Sequence, residues 1–247
     1  MQQLFAAETP TGNRTINPAL GRRDVENHGG FLTPYYLFDL LERRHAEDLD
    51  LVNNDFNRKR LKRVLQQVQL ALVVANGIRV SFERTWSLWY KELFSALGFP
   101  LQWVVEIDAL ETAGYGLVPV SHACYLHGQT DNMPLLLIDL HPFGTDLDKA
   151  LYLNPQHDPS FTTEPVSRAL EFALEQSQAN YALLSNGLEM RLYRRGSSVA
   201  RQYLKVDFLA LFECEDDKEW LAFWGLFRLA AFVPTSSEQR SGSDDAS

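Results

Sequence analysis

The sequence has few cysteines and no long apolar run. Its 247 residues include two cysteines, Cys124 and Cys214, and both lie in apolar segments. Two cysteines cannot form the disulfide framework of a small secreted domain, so we expect both to be reduced. The sequence also lacks an apolar run of about 20 residues, and residues 1–23 lack the pattern of a secretory signal. These absences predict a cytoplasmic protein without a membrane partner.

The sequence is also poor in basic residues. Lysine and arginine number 23 against 32 acidic residues, which gives a net charge of −9. Proteins that bind nucleic acid non-specifically and alone are usually basic. The charge therefore argues against tight DNA binding by this chain alone, but it leaves open a domain that meets DNA when other domains hold it there. Apolar residues make up 45% of the chain, which is enough for a sizeable core.

Composition and the absence of repeats divide the chain into three parts. Residues 1–30 are rich in Thr, Asn, Gly and Pro and predict a flexible N-terminal arm, while residues 235–247 predict a disordered tail or linker. Residues 31–234 are predicted to form the globular domain, with a helical part at 31–98 and a sheet part at 99–234.

Apolar periodicity predicts the elements within that domain. Helices are predicted at 32–41, 55–74, 81–97, 164–176 and 218–232. Strands are predicted at 102–108, 116–126, 134–141, 180–184, 189–194 and 202–206. This order predicts an α/β fold with a mixed sheet flanked by helices, preceded by a helical segment. The almost wholly apolar strand at 134–141 is typical of a central strand covered on both faces.

Several segments in the second half of the chain resemble a known family. They are Tyr-Ala-Leu-Leu-Ser-Asn-Gly at 181–187, Met-Arg-Leu-Tyr at 190–193, Val-Asp-Phe-Leu-Ala-Leu at 206–211 and the aromatic segment 219–232. In this order they resemble the N-terminal endonuclease-like domain of type IIG restriction-modification enzymes and of methylase proteins in BREX- and DISARM-like phage-defence systems. Segments 31–37 and 97–99 have looser counterparts, so the resemblance covers most of 31–234.

The resemblance implies the PD-(D/E)XK restriction-endonuclease-like fold. In that fold, acidic side chains at the ends of two adjacent strands hold Mg²⁺, and a lysine stands beside the second acid. The metal lowers the pKa of a bound water and polarises the phosphate. Two strand residues separated by one lie on the same face, so an acid-X-lysine triplet directs both side chains to one site.

This sequence departs from the family pattern at both positions. Pro-Val-Ser-His-Ala at 119–123 stands where the family has proline-aspartate-tyrosine-alanine, so no aspartate is present. At the next strand Asp139 matches the acid and His141 replaces the lysine. Asp139 and His141 are therefore the candidate catalytic residues, and Asp139 is the candidate Mg²⁺ ligand. The departures predict a catalytically degenerate domain. The alternative is an active Mg²⁺-dependent DNA endonuclease that uses Asp139 with a displaced second acid, for which the candidates are Asp108, Asp146 and Asp148.

A dense basic cluster offers candidate DNA contacts. It consists of Arg58, Lys59, Arg60, Lys62 and Arg63 on the second predicted helix. Such a helix can contact phosphates, although a solvated helix face explains the same pattern. The last predicted helix, with Trp220, Trp224 and Phe227, is either core or a docking surface. The second interpretation would make the chain a stand-alone protein-interaction module.

The sequence has no Asn-Pro-Pro-Tyr or Asp-Pro-Pro-Tyr tetrapeptide and no glycine-rich S-adenosylmethionine loop. The resemblance then implies that a methyltransferase domain or subunit is the partner. The resemblance also implies DNA as a partner, contacted in part through other domains.

Overall fold

The computed structural model describes residues 25–32, 51–74, 80–107, 109–112, 116–130, 133–149, 165–196, 202–214 and 217–233. The predicted tail at 235–247 and most of the helix predicted at 32–41 lie outside these residues. The predicted arm at 1–30 lies outside them up to residue 24. Residues 25–28 of the predicted arm form a strand that pairs with the neighbouring strand at the edge of the sheet, and residues 29–30 form a turn.

Within the described residues, seven strands form one mixed sheet, and two more form a separate hairpin. The strands are β1 (Val25–His28), β2 (Val104–Glu106), β3 (Ala109–Thr112), β4 (Gly116–Pro119), β5 (His122–Cys124), β6 (Leu136–Leu140), β7 (Tyr181–Ser185), β8 (Glu189–Arg194) and β9 (Tyr203–Asp207). Their order in the sheet is β1-β9-β8-β7-β6-β5-β2, and β3 pairs with β4. The β6–β7 pair is parallel, and the other pairs of the sheet are antiparallel.

Six α-helices and one π-helical turn belong to the described residues. They are α1 (Leu51–Val74), α2 (Phe82–Thr85), the π turn (Trp86–Tyr90), α3 (Lys91–Ala96), α4 (Val166–Gln176), α5 (Phe208–Glu213) and α6 (Asp217–Phe227). Ser81 caps α2 through the backbone N–H of Arg84, and Asp207 caps α5 through two backbone N–H groups. Among the described residues, no helix has the length and apolar character that a membrane span requires.

Strand alternation gives the sheet two different faces. Leu136, Ile138 and Leu140 of β6 pack in a core with residues of α1, α3, α5 and α6, many of them aromatic. We call this the aromatic face. Leu137 of β6 and Leu184 of β7 belong to a second core built against α4 and the β3–β4 hairpin. We call this the α4 face.

The predicted mixed α/β architecture with helices around the sheet is confirmed, and β6 is buried along its whole length. Two details of the strand prediction were wrong. The predicted strand 116–126 is divided, because β4 leaves the main sheet to pair with β3 while β5 stays beside β6. The predicted strand 102–108 is shortened by a 3₁₀ turn at Leu101–Trp103.

Candidate functional site

Asp139 lies near the end of the central strand β6 and is 6% exposed. The antiparallel register that sets His122 opposite Ile138 continues to set Ser121 opposite Asp139. On the other side Asp139 pairs with Leu184 of β7. The expected juxtaposition of Asp139 with the segment that carries Ser121 is therefore present.

Both carboxylate oxygens of Asp139 are engaged within the protein. The backbone N–H of Ser121 donates to Oδ1 at 3.2 Å, and Nε2 of His141 lies 2.9 Å from Oδ2. The side chains of Asp139 and His141 are 9% and 12% exposed. The hydrogen bond to Asp139 therefore fixes the orientation of the His141 ring.

Ser121 precedes β5 and hydrogen-bonds mainly to the backbone of β6. Its Oγ accepts from the N–H of Leu140 at 2.8 Å and lies 3.2 Å from the carbonyl of Ile138. The same hydroxyl is 2.8 Å from Nδ1 of His122. The uncharged serine side chain therefore provides hydrogen bonds to the backbone of β6 just before β5 begins.

The histidines near this site do not converge on a metal. The His122 ring stacks on Trp86 with centroids 5.1 Å apart, which places it on the aromatic face, away from Asp139. His127 lies in a turn and contacts Trp103. Within the part of the chain that the structure describes, no group of three or more His, Cys, Asp or Glu residues is arranged to hold a metal ion. Asp139 is thus a candidate ligand without a second acidic ligand beside it among the described residues.

The π turn supports the ends of β6 and β7 from the aromatic face. The Tyr90 hydroxyl lies 2.7 Å from the carbonyl of His141 and 2.9 Å from that of Ser185. Burial raises the pKa of the Tyr90 phenol well above its usual range, so the group stays a hydrogen-bond donor. One turn earlier, Thr85 Oγ1 accepts from the N–H of Phe143. A π turn of this kind often marks a functional site, and here it positions the backbone on both sides of His141.

The Asn186-Gly187 turn holds the loop that follows Asp139. The Asn186 amide donates to the carbonyl of Thr145 at 2.7 Å, and the N–H of Gly144 donates to the carbonyl of Asn186 at 2.9 Å. Gly187 has a φ of +79°, and a Cβ there would lie 2.5 Å from the Phe143 ring. The turn motif therefore fixes loop 142–149 against the β7–β8 hairpin, which is a structural function.

Asp148, one of the proposed second acids, is bound to Arg191. Arg191 of β8 is 5% exposed and donates to both oxygens of Asp148, at 2.7 and 2.8 Å. The same guanidinium donates to Glu189 at 2.6 and 3.0 Å. Hydrogen bonds from Arg191 lower the pKa of Asp148 below its usual value, although partial burial opposes the shift. Asp148 is thus a structural anchor for the loop.

Asp146, another proposed second acid, is also paired with a neighbour. Asp146 is exposed and pairs with Lys149 at 2.9 Å, and the hydrogen bond from Lys149 lowers the pKa of Asp146. Asp108 lies outside the described residues. The sequence analysis missed Arg191, although an arginine between apolar residues of a strand is a signal for a buried ion pair.

The five residues of the basic cluster do not share one environment. Arg58 donates to the carbonyl of Cys214 at 2.7 Å, and Arg60 forms an ion pair with Glu92. Lys59 pairs with Asp55 on the exposed surface at 2.6 Å. Lys62 and Arg63 are exposed. The cluster therefore divides into two anchored arginines and three side chains that face solvent.

The aromatic C-terminal helix packs mainly into the core. Trp220 and Phe227 are 2% and 0% exposed, whereas Trp224 is half-buried and lies under the guanidinium of Arg228, 4.4 Å from the ring centroid. Core packing thus accounts for most of this helix.

No family model matches the chain, and no similar protein was found among curated proteins or solved structures.

Proposed function

We propose that the chain is a nuclease-like domain with an incomplete metal site, which positions DNA or a partner for a restriction-modification or phage-defence protein. The order of the strands supports this proposal. The antiparallel strands β2, β5 and β6 are followed by α4 and by β7, which is parallel to β6. A mixed sheet of this kind is what the resemblance to the PD-(D/E)XK domain implies.

The observation that carries the proposal is the environment of Asp139. Its register partner is Ser121, in the segment where the family has an aspartate and this chain has none, and its neighbour on the same face is His141, where the family has a lysine. Mg²⁺ takes several oxygen ligands and usually one or two carboxylates. A single carboxylate with both oxygens already hydrogen-bonded is a poor site for that ion, so the domain would bind or position rather than cleave.

The partners in this proposal are DNA and a methyltransferase domain or subunit, and both follow from the resemblance. If the domain were active, Mg²⁺ would be its cofactor, with Asp139 as a ligand.

The first test is a cleavage assay on supercoiled plasmid with Mg²⁺ or Mn²⁺. We expect the wild-type protein to nick DNA no faster than Asp139→Ala. Nicking by the wild type that disappears in Asp139→Ala would show an active site and would contradict the proposal of a degenerate domain.

A second test rebuilds the site. The double variant Ser121→Asp with His141→Lys restores the acid and the lysine, and Ser121→Asn with His141→Gln is the control of similar size without the new charges. We expect the restored variant to bind Mn²⁺ at least about 10-fold more tightly than the control, because two facing carboxylates form the ligand pair that the wild type lacks. Mn²⁺ electron paramagnetic resonance measures binding, and circular dichroism checks that both variants fold. Equal Mn²⁺ binding by two folded variants would contradict the nuclease-like assignment.

A further inference from the structure

We propose that the outer face of α1 is a DNA-tethering surface that contacts phosphates through Lys59, Lys62 and Arg63, on the opposite side of the sheet from Asp139. The inference rests on the proposed function, because that function supplies DNA as the partner. To that function it adds three points. DNA contacts the outer face of α1, the contact is between basic side chains and phosphates, and it is separate from Asp139.

The first step is to separate the available cations from those already used. The guanidinium of Arg58 binds the carbonyl of Cys214, and that of Arg60 pairs with Glu92, so both are anchored to the protein. Lys59 has only an exposed pair with Asp55, a type of contact worth at most about 1 kcal/mol. Lys62 and Arg63 make no ion pair or hydrogen bond with the described residues.

The second step is the geometry of the helix. At about 100° per residue, Lys59, Lys62 and Arg63 fall within an arc of about 100°. Gln66 lies within the same arc, Gln67 lies just beyond it, and both are exposed one turn later. Residues 59–67 rise about 12 Å along the axis, which spans several phosphates of one DNA strand at about 3.4 Å each. Lysine, arginine and glutamine are all common donors to phosphate oxygens.

The third step is the charge of the rest of the protein. With a net charge of −9 the chain as a whole repels a polyanion, so attraction to DNA has to come from a local basic surface such as this stripe. Contact through three cations and without base readout is expected to be weak, non-specific and strongly dependent on salt. A tether held in place by other domains needs no more than this.

The fourth step places the stripe relative to Asp139. The inner residues of α1, Leu61 and Leu65, pack in the core of the aromatic face together with Ile138 of β6. Asp139 is the next residue along β6, so its side chain points to the α4 face. A phosphate held by α1 therefore lies across the sheet from Asp139.

Two exposed apolar residues on α1 favour a protein partner over DNA. Phe56 and Leu70 are 63% and 65% exposed and lie near the two ends of the stripe. A phosphate backbone offers them little apolar contact, whereas an acidic protein surface could contact both the apolar and the basic side chains. The basic stripe favours DNA within the proposed function, and the experiment decides between the two partners.

The experiment measures binding of a labelled duplex of about 20 base pairs by fluorescence anisotropy over a series of salt concentrations. Three phosphate contacts predict a slope of log K against log[salt] of about −2.7. The triple variant Lys59→Gln, Lys62→Gln, Arg63→Gln should weaken binding at low salt at least about 10-fold and bring the slope close to zero.

One control separates this surface from the total charge of the protein. Arg84→Gln, Lys91→Gln, Lys149→Gln removes the same charge from other exposed positions and should change affinity less than about two-fold, because those side chains are outside the stripe.

The outcomes are distinct. Failure to bind at about 20 mM salt, or equal losses in the two triple variants, would overturn the tether. Absence of DNA binding would leave the α1 face, with Phe56 and Leu70, to a protein partner. If the tether fails while the rebuilt site still binds Mn²⁺, the nuclease-like assignment stands. If the tether behaves as expected while the rebuilt site does not bind Mn²⁺, only the nuclease-like assignment fails.

Discussion

The two faces of the seven-stranded sheet differ in what covers them and in which polar groups they carry. On the aromatic face, α1, α3, α5 and α6 bury many aromatic and aliphatic side chains. The polar Tyr90 hydroxyl on this face donates a hydrogen bond to a backbone carbonyl. The α4 face is covered mainly by α4 and the β3–β4 hairpin, and it carries Asp139 and Arg191. The aromatic face therefore supplies most of the buried core. The candidate site lies on the α4 face, whose core cluster is smaller.

The largest expected effect is on the aromatic face. Phe223 is fully buried among Phe208, Trp220 and Phe227, so Phe223→Ala should lower the free energy of unfolding by about 3–5 kcal/mol. Leu170→Ala on α4 should cost less than Phe223→Ala, within the range of about 2–5 kcal/mol for a buried leucine. Urea denaturation measures both, with exposed Phe56→Ala as a control within about 0.5 kcal/mol of wild type. If Leu170→Ala lowered the free energy of unfolding as much as Phe223→Ala or more, the predicted difference between the two faces would be wrong.

A smaller effect concerns the turn that joins the loop after β6 to the β7–β8 hairpin. Gly187 and Gly196 both have a φ of +79°, but a Cβ at Gly187 would meet Phe143 at 2.5 Å, whereas a Cβ at Gly196 would meet nothing within 4 Å. Both alanine variants pay the same backbone strain. Gly187→Ala should therefore be less stable than Gly196→Ala by about 1–3 kcal/mol, from overpacking alone. Equal thermal midpoints for the two variants would show that Phe143 moves aside freely.

Removing the Tyr90 hydroxyl should cost about 1–2 kcal/mol, because Tyr90→Phe leaves the buried carbonyls of His141 and Ser185 without this donor. Tyr181→Phe is the matched control, since Tyr181 is half-buried and its hydroxyl has no hydrogen bond to the described residues. Urea denaturation of both variants tests the prediction. A cost no greater than that of the control would mean that Tyr90 contributes only its ring.

The smallest effect is a dependence on pH. Because Arg191 lowers the pKa of folded Asp148 below the unfolded value of about 3.9, this ion pair contributes fully above that pH. The contribution is lost as the pH falls through the folded pKa. The stability of Asp148→Asn should therefore fall less than that of the wild type between about pH 5 and pH 3. The urea midpoint at each pH measures this, and an identical acid slope for both proteins would be evidence against the pair.

Local patterns in the sequence were sufficient for much of the fold. Alternation and helical spacing predicted the mixed α/β architecture, and the apolar run ending at Asp139 predicted a buried central strand. The division of 116–126 into β4 and β5 was not predicted, because both halves have the same alternation and only pairing with different neighbours separates them. The nuclease-like function, the DNA contacts and the methyltransferase partner remain predictions.

By itself the sequence determined the type of most elements, since helical and strand spacing can be read from neighbouring positions. Only the tertiary structure decided how the charged residues are used. Asp148 and Arg191 are 43 positions apart, and Arg58 is 156 positions from the carbonyl that it binds. Hydrogen bonds reach only about 3 Å, so such pairs exist only once the packing of the sheet and helices has brought distant segments together.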